Sequence, residues 1–137
     1  MEKLIDVRAA LEHIGKGWKF GGSVTDNTES AWNAVIWEDT RSKPEYATLC
    51  TAYDTLTINS LFSNLRSERD TRIYAVLWMR ERHADELELG KETSLTPEQY
   101  TELLTYIQAL RDLPAQPGAP WDGGGDLTPW PELPSVE

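Results

Sequence analysis

Cysteine, clustered positive charge and long apolar runs are all scarce in this chain of 137 residues. Cys50 is the only cysteine, so no intramolecular disulfide can form, and we expect a reducing compartment. No stretch of about 18 consecutive apolar residues occurs, and the N-terminal stretch is acidic and amphipathic. We therefore expect neither a membrane span nor a secretion signal.

Basic residues are outnumbered by acidic ones, with 13 Lys and Arg against 23 Asp and Glu and a net charge of −10. A protein that binds nucleic acid needs clustered positive charge to neutralise phosphates, and this chain has no such cluster. We predict no nucleic-acid partner and expect a partner with basic patches. An acidic inhibitor that blocks a host nucleic-acid-binding protein is an alternative, but arginines interrupt the negative charge over residues 66–82.

The residue patterns that indicate catalysis or metal binding are also missing. His83 lacks the second histidine, four residues on, that a helical metalloprotease site requires, so we predict a half-exposed helix residue, and His13 is treated in the same way. Cys50 falls on an apparent core face, and no serine lies in a Gly-x-Ser-x-Gly turn. We predict no enzymatic activity, no metal and no cofactor.

Residues 1–55 predict a small α/β head. Apolar residues recur at helical spacing over 4–14, and Gly15 is a plausible end for this first helix. The aromatic and β-branched residues of 18–20 and 31–38 predict a β-hairpin around a loose loop at 25–30.

A second short helix is predicted from Pro44 and Glu45, which suit a first helical turn. The aromatic residues of the head have two interpretations. Trp18, Trp32 and Trp37 form either the core of a small hairpin, which we favour, or a platform on which a ligand stacks.

Residues 56–113 predict a long connecting helix followed by a helical hairpin. Apolar residues at helical spacing extend the long helix over about 57–89, and the charged stretch 66–72 is interpreted as a solvated bridge. Gly90 is a natural end, and 96–99 has the spacing of a capping box with proline at the first helical position. We predict an antiparallel helical hairpin over 73–112.

Residues 114–137 predict an extended tail rich in proline, glycine and tryptophan. Pro114 ends the preceding helix, and the later prolines favour extended backbone. The three glycines at 123–125 are interpreted as a flexible joint. Trp121 and Trp130 either fold back on the helices or anchor a partner, and the fold class as a whole is predicted to be α+β.

Several short sequence blocks follow one another in a distinctive order. They are LRSERD at 65–70, WMRERH at 78–83, LTPEQY at 95–100, YIQALRDLP at 106–114 and Trp130-Pro131. Their order resembles that of the small phage tail assembly chaperones, a family linked to tail-fibre assembly, and it covers about residues 60–134. The chain differs at Leu77, where the family typically has an acidic residue, and in the longer link formed by 123–129.

The resemblance implies a non-enzymatic chaperone that binds and shields a tail-fibre or other tail protein in the cytoplasm of the bacterial host. A structural protein that stays on the tail or fibre of the virion is the alternative within the same resemblance. We predict that the partner is contacted by residues of the last helix and the tail, namely Tyr106, Leu110, Leu113, Trp121, Trp130 and Pro131.

Overall fold

Helices dominate the chain, and they are distributed over two compact units, Met1–Asn59 and Ser60–Glu137. The structure is a computed structural model that describes residues 4–22 and 27–136. A small two-stranded antiparallel sheet accompanies the helices of the first unit. The architecture is therefore α+β, as the sequence predicts.

The first unit opens with helix α1, Val7–Ile14. The Asp6 side chain caps it by accepting a hydrogen bond from the backbone N–H of Ala9 at 3.0 Å, and the helix ends at Gly15. Its apolar face is buried through Val7, Ala10 and Leu11. The predicted first helix and its glycine end are confirmed.

The predicted β-hairpin is present but shorter than expected. Strand β1, Phe20–Gly21, pairs with strand β2, Ile36–Trp37, with Phe20 opposite Trp37. The prediction of strand from residue 31 is wrong, because Glu29–Asn33 forms a short helix, α2. Part of the predicted loop, residues 25 and 26, lies outside the described residues.

Helix α2 forms because its first turn is capped and the side chain of Trp32 is buried in the core of the first unit. The Thr28 hydroxyl accepts a hydrogen bond from the N–H of Ala31 at 3.1 Å. Trp32 is almost fully buried, and its Nε1–H donates to the carbonyl of Pro44 at 2.9 Å. Trp18 and Trp37 pack against the same core, so the interpretation of these three tryptophans as core residues is confirmed.

Asp39, just after β2, holds together the loop beyond the sheet. Its carboxylate accepts hydrogen bonds from the Arg41 guanidinium and from the backbone N–H of Lys19, each at 2.8 Å. The guanidinium also lies 3.7 Å from the centre of the Trp18 ring. The hydrogen bonds from Arg41 hold the pKa of Asp39 well below its ordinary value.

Replacement of Asp39 by asparagine is expected to lower the stability of the chain near neutral pH, since an amide forms weaker bonds to Arg41. A depressed pKa stabilises the fold above the unfolded-state pKa of about 3.9, and this contribution fades as the pH falls toward the folded-state pKa. Thermal unfolding from about pH 7 to about pH 2 should therefore show the Tm difference between wild type and Asp39→Asn shrinking in acid. Glu38→Gln, an adjacent exposed change of the same chemistry, is the control, and a pH-independent difference for Asp39→Asn would contradict this account.

Helix α3, Tyr46–Glu88, is one continuous helix of 43 residues. The prediction of a short helix followed by a separate long one from about residue 57 is wrong. Residues 54–57 contain neither glycine nor proline, so nothing in the backbone ends the helix where the apolar pattern changes.

The end of α3 and the turn after it match their sequence signals. Gly90 has a φ of +69°, the left-handed conformation that glycine adopts readily after a helix. The Glu86 carboxylate accepts hydrogen bonds from the backbone N–H and the hydroxyl of Ser94, the latter at 2.8 Å. The hydroxyl bond is the largest cause of the lowered pKa of Glu86.

Helix α4, Pro97–Asp112, begins with the predicted capping box, in which the side chains of Thr96 and Gln99 each accept a hydrogen bond from the other's backbone N–H. Its buried residues join the later turns of α3 in the core of the second unit. This core consists of Val76, Leu95, Leu103, Tyr106, Ile107, Leu110 and Val136.

The tail beyond α4 is folded rather than extended in its first half. A 3-10 helix, Leu113–Ala115, follows α4 directly, and turns occupy most of residues 117–127. Residues 129–136 have no regular secondary structure, yet Val136 is buried in the core of the second unit. The prediction of an extended tail is wrong for 114–127, because glycines that allow tight turns stand among the prolines there.

Candidate functional site

A groove of about 330 Å³ lies between α4 and the end of the tail, and it contains two of the predicted partner-binding residues. Its lining is mostly apolar or weakly polar, with two carboxylates. The lining residues are Thr101, Glu102, Thr105, Tyr106 and Ala109 from α4, with Pro131, Glu132 and Pro134 from the tail.

The α4 side of the groove follows from helical spacing. Thr101, Thr105 and Ala109 stand four residues apart and therefore share one face, while the buried residues of α4 face the core. The hydroxyl of Thr101 donates to the carbonyl of Pro97 at 2.9 Å, and that of Thr105 donates to the carbonyl of Thr101 at 2.8 Å. Because both hydroxyl protons are used within the helix, this face offers few free donors to a ligand.

The tail side of the groove is positioned by a turn built around Asp122. Its carboxylate accepts hydrogen bonds from the backbone N–H groups of Gly125 and Leu127, each at 2.9 Å, and from the hydroxyl of Thr128 at 2.8 Å. The bond from Leu127 is the largest cause of the lowered pKa of Asp122. The turn is thus held by charge-assisted bonds just before Trp130 and Pro131.

The glycines at 123–125 serve close packing, so their interpretation as a flexible joint is wrong. Gly123 and Gly124 have φ of +75° and +97°, and their backbones lie directly against α3. A Cβ atom on Gly123 would lie 2.9 Å from Cδ2 of Leu61, and one on Gly124 would lie 3.2 Å from Cβ of Glu68. Only residues without a side chain fit between the turn and the helix.

The stretch 66–72 of α3 is likewise not the solvated bridge that its charge predicts. The Arg72 guanidinium lies 4.1 Å from the centre of the Trp130 ring, and its Nε–H donates to Glu68 at 3.2 Å. Trp130 itself packs against the core of the second unit. The charged stretch therefore contacts the folded tail, and the Arg72 guanidinium lies over the Trp130 ring.

A model of the family described as "Phage tail assembly chaperone protein" matches residues 62–135, which is more than half of the chain and nearly all of the second unit. The chain belongs to this family. The family has a chaperone role in the assembly of phage tails, which confirms the resemblance seen in the sequence blocks. No curated protein and no solved structure shows significant similarity to the chain.

The predicted partner-binding residues divide into two groups in this tail assembly chaperone. Tyr106, Leu110 and Leu113 are buried, so their side chains offer almost no area to a partner. Trp121, Trp130 and Pro131 are half-buried and keep some accessible surface. Only Tyr106 and Pro131 line the groove.

Two aromatic residues of the chaperone were missed by the sequence prediction of the site. Tyr74 is 71% exposed and Trp78 is 51% exposed, and both belong to α3 within the second unit. A signal was present in the sequence, because the two residues are four apart and lie across the helix from Val76. The sequence prediction did not recognise the pair, because Tyr74 and Trp78 alternate in the sequence with the apolar residues of the buried face.

His83 is buried and not half-exposed, so that prediction is wrong. Its ring stacks on Tyr100 with 3.8 Å between the ring centres, which joins α3 to the first turn of α4. Among residues 4–22 and 27–136, no three His, Cys, Asp or Glu side chains are grouped so that they could hold a metal ion. None of the described helices combines the length and the apolar character needed to cross a membrane.

Proposed function

We propose that this chain is a non-enzymatic chaperone for a tail-fibre protein, or another tail protein, which it binds and shields during assembly in the cytoplasm of the bacterial host. The tail protein that it binds is called the client below. The observation that carries the proposal is the family match over residues 62–135, which spans both helices and the tail of the second unit. Binding alone suffices for this role, so no catalytic group is required.

The choice of a fibre protein as client rests on how such proteins fold. Intertwined fibres depend on pairing between residues that are distant in sequence, and such pairing forms slowly. Unpaired strand edges and apolar surface are exposed in the meantime and favour aggregation. A partner that covers these surfaces until the subunits have assembled raises the yield of correct product.

Trp121, Trp130 and Pro131 remain proposed client contacts, with Tyr106 as part of the groove floor. The groove takes a short apolar segment, because its lining is formed largely by proline rings, an alanine and threonines whose hydroxyl protons are used within the helix. Leu110 and Leu113 support this surface from the core and are not proposed to touch the client.

Co-expression tests the proposed function. The fibre protein of the same phage is expressed with the chain, without it, and with a Trp121→Ala/Trp130→Ala variant that is checked for folding by circular dichroism. We expect the wild-type chain to raise the yield of soluble, assembled fibre, because it occupies surfaces that otherwise aggregate.

Equal yields of assembled fibre with and without the chain would contradict a chaperone role for the fibre. The same experiment is repeated with the other tail proteins of the phage, so that a different client is recognised. Mass spectrometry of purified virions then separates a released chaperone, which is absent, from a retained structural protein, which is present at a stoichiometric level.

A further inference from the structure

The outward face of α3 in the second unit carries an exposed aromatic pair. Tyr74 and Trp78 lie one helical turn apart, and more than half of each side chain is accessible. The buried residues Leu65, Val76 and His83 occupy the opposite side of the same helix. The aromatic pair therefore plays no part in the core, and tryptophan and tyrosine are the side chains that most often dominate binding energy at interfaces.

Carboxylates continue this face toward the end of the helix. Glu81 and Asp85 follow Trp78 by three and seven residues, which keeps them on the same side as the aromatic pair. Both are exposed, and neither forms an ion pair with any residue in the described part of the chain.

Among the residues that the structure describes, the nearby arginines form no ion pair with Glu81 or Asp85, although Arg82 lies over the Trp78 ring beside them. Arg72 pairs with Glu68, and Arg82 lies 3.7 Å from Glu86 while its guanidinium is 5.0 Å from the centre of the Trp78 ring. Arg80 lies on another side of the helix, two residues from Trp78. The surface formed by Tyr74, Trp78, Glu81 and Asp85, the acidic aromatic face, is thus both apolar and negative.

We propose that the acidic aromatic face is the main surface on which the client docks, and that the docking segment of the client is a basic amphipathic helix. Apolar residues of that helix cover Tyr74 and Trp78, while its lysines or arginines pair with Glu81 and Asp85 and stack on the exposed part of the Trp78 ring. This assignment rests on the proposed function and identifies the surface through which the chaperone binds its client.

Charge decides between the client and a second copy of this chain. Two acidic aromatic faces brought together would place unpaired carboxylates against each other, and the chain has a net charge of −10. A basic helix would instead place positive charge against the carboxylates of Glu81 and Asp85. The face also offers more accessible aromatic area than the groove beside α4, whose single aromatic residue, Tyr106, is buried.

The test uses the full chain co-expressed with each tail protein of the same phage. A photo-crosslinking phenylalanine analogue replaces Trp78 in one variant and Ile36, which is exposed in the first unit, in another. We expect position 78 to crosslink to a client peptide with lysines or arginines and with apolar residues three or four apart, and position 36 to give no such product.

A synthetic copy of the crosslinked peptide then serves as the probe for calorimetric titration. Tyr74→Ala/Trp78→Ala and Glu81→Lys/Asp85→Lys are each expected to raise the Kd at least about tenfold, since central aromatic and charged contacts dominate such interfaces. The charge-reversal variant should also reverse the salt dependence of the Kd. Leu4→Ala/Ile36→Ala and Glu12→Lys/Glu92→Lys change exposed residues off the face, the groove and the tail, and they should alter the Kd less than about twofold.

The outcomes distinguish a failure of the proposed docking surface from a failure of the proposed function. If wild type raises the yield of no tail protein, the proposed function fails, and the assignment of the face fails with it. If wild type works and Tyr74→Ala/Trp78→Ala binds the probe equally well, only the acidic aromatic face is excluded. A crosslink from position 78 to a second copy, with a dimer in sedimentation equilibrium that the same double variant abolishes, would also overturn the assignment.

Discussion

Replacement of Leu110 by alanine is expected to lower the free energy of unfolding by about 2–5 kcal/mol, the range typical of a buried leucine whose removal leaves a cavity. Leu110 is 0% exposed and lies in the core of the second unit, with Leu103 and Ile107 on the same helix. Urea unfolding of the full chain, followed by circular dichroism, measures the effect. Because the chain has two compact units, the transition of the second unit is the one expected to move.

Leu104→Ala provides the matched control, since it makes the same chemical change on the same helix at a residue that is 39% exposed. We expect it to cost no more than about 1 kcal/mol. The comparison also decides the role of Leu110, which the sequence predicts to bind the partner. Unfolding like that of wild type, together with lost client binding, would make Leu110 a contact residue and contradict its place in the core.

Replacement of Gly123 by alanine is the second change with a large expected effect, about 2–5 kcal/mol. A residue with a side chain at a φ of +75° costs about 1–2 kcal/mol by itself. The new Cβ would also lie 2.9 Å from Cδ2 and 3.2 Å from the carbonyl oxygen of Leu61. Because the second of these atoms belongs to the backbone of α3, the turn must move away from the helix.

Gly90→Ala separates the two causes of this loss. Gly90 has a similar φ of +69°, and a Cβ atom there would meet nothing within 4 Å. We expect this variant to lose only the conformational part, about 1–2 kcal/mol, in the same unfolding experiment. Equal losses for Gly90→Ala and Gly123→Ala would show that the turn at 123–125 is not pressed against α3.

Much of the helical part of the fold could be predicted because its signals are local. The capping box at 96–99 and the glycine at position 90 are read from a few adjacent residues, and both mark the observed ends of helices. The α+β class and the family follow in the same way, from periodicity and from the order of short blocks. These signals do not depend on what the segments later pack against.

The errors lie where packing overrides a local preference. Residues 31–38 favour strand by their content of tryptophan, valine and isoleucine, but a threonine cap and the burial of Trp32 make Glu29–Asn33 helical. The glycines at 123–125 indicate flexibility by composition, yet Gly123 and Gly124 allow the backbone of the turn to lie directly against α3. Of the residues predicted to contact a partner, Tyr106 and Pro131 line the groove, but the sequence did not separate buried from accessible residues.

The sequence by itself determined the family, the helix boundaries at Gly15, Gly90 and 96–99, and the acidity of this protein, because each of these depends on residue identity and short spacing. Only the tertiary structure decided that Leu110 and Leu113 are enclosed and that Tyr74 and Trp78 are exposed. An apolar residue on a helix can face either a core or a partner, and its spacing is the same in both cases. For Leu110 the choice is made by the core of the second unit, to which α3, α4 and the tail residues Trp130 and Val136 all contribute.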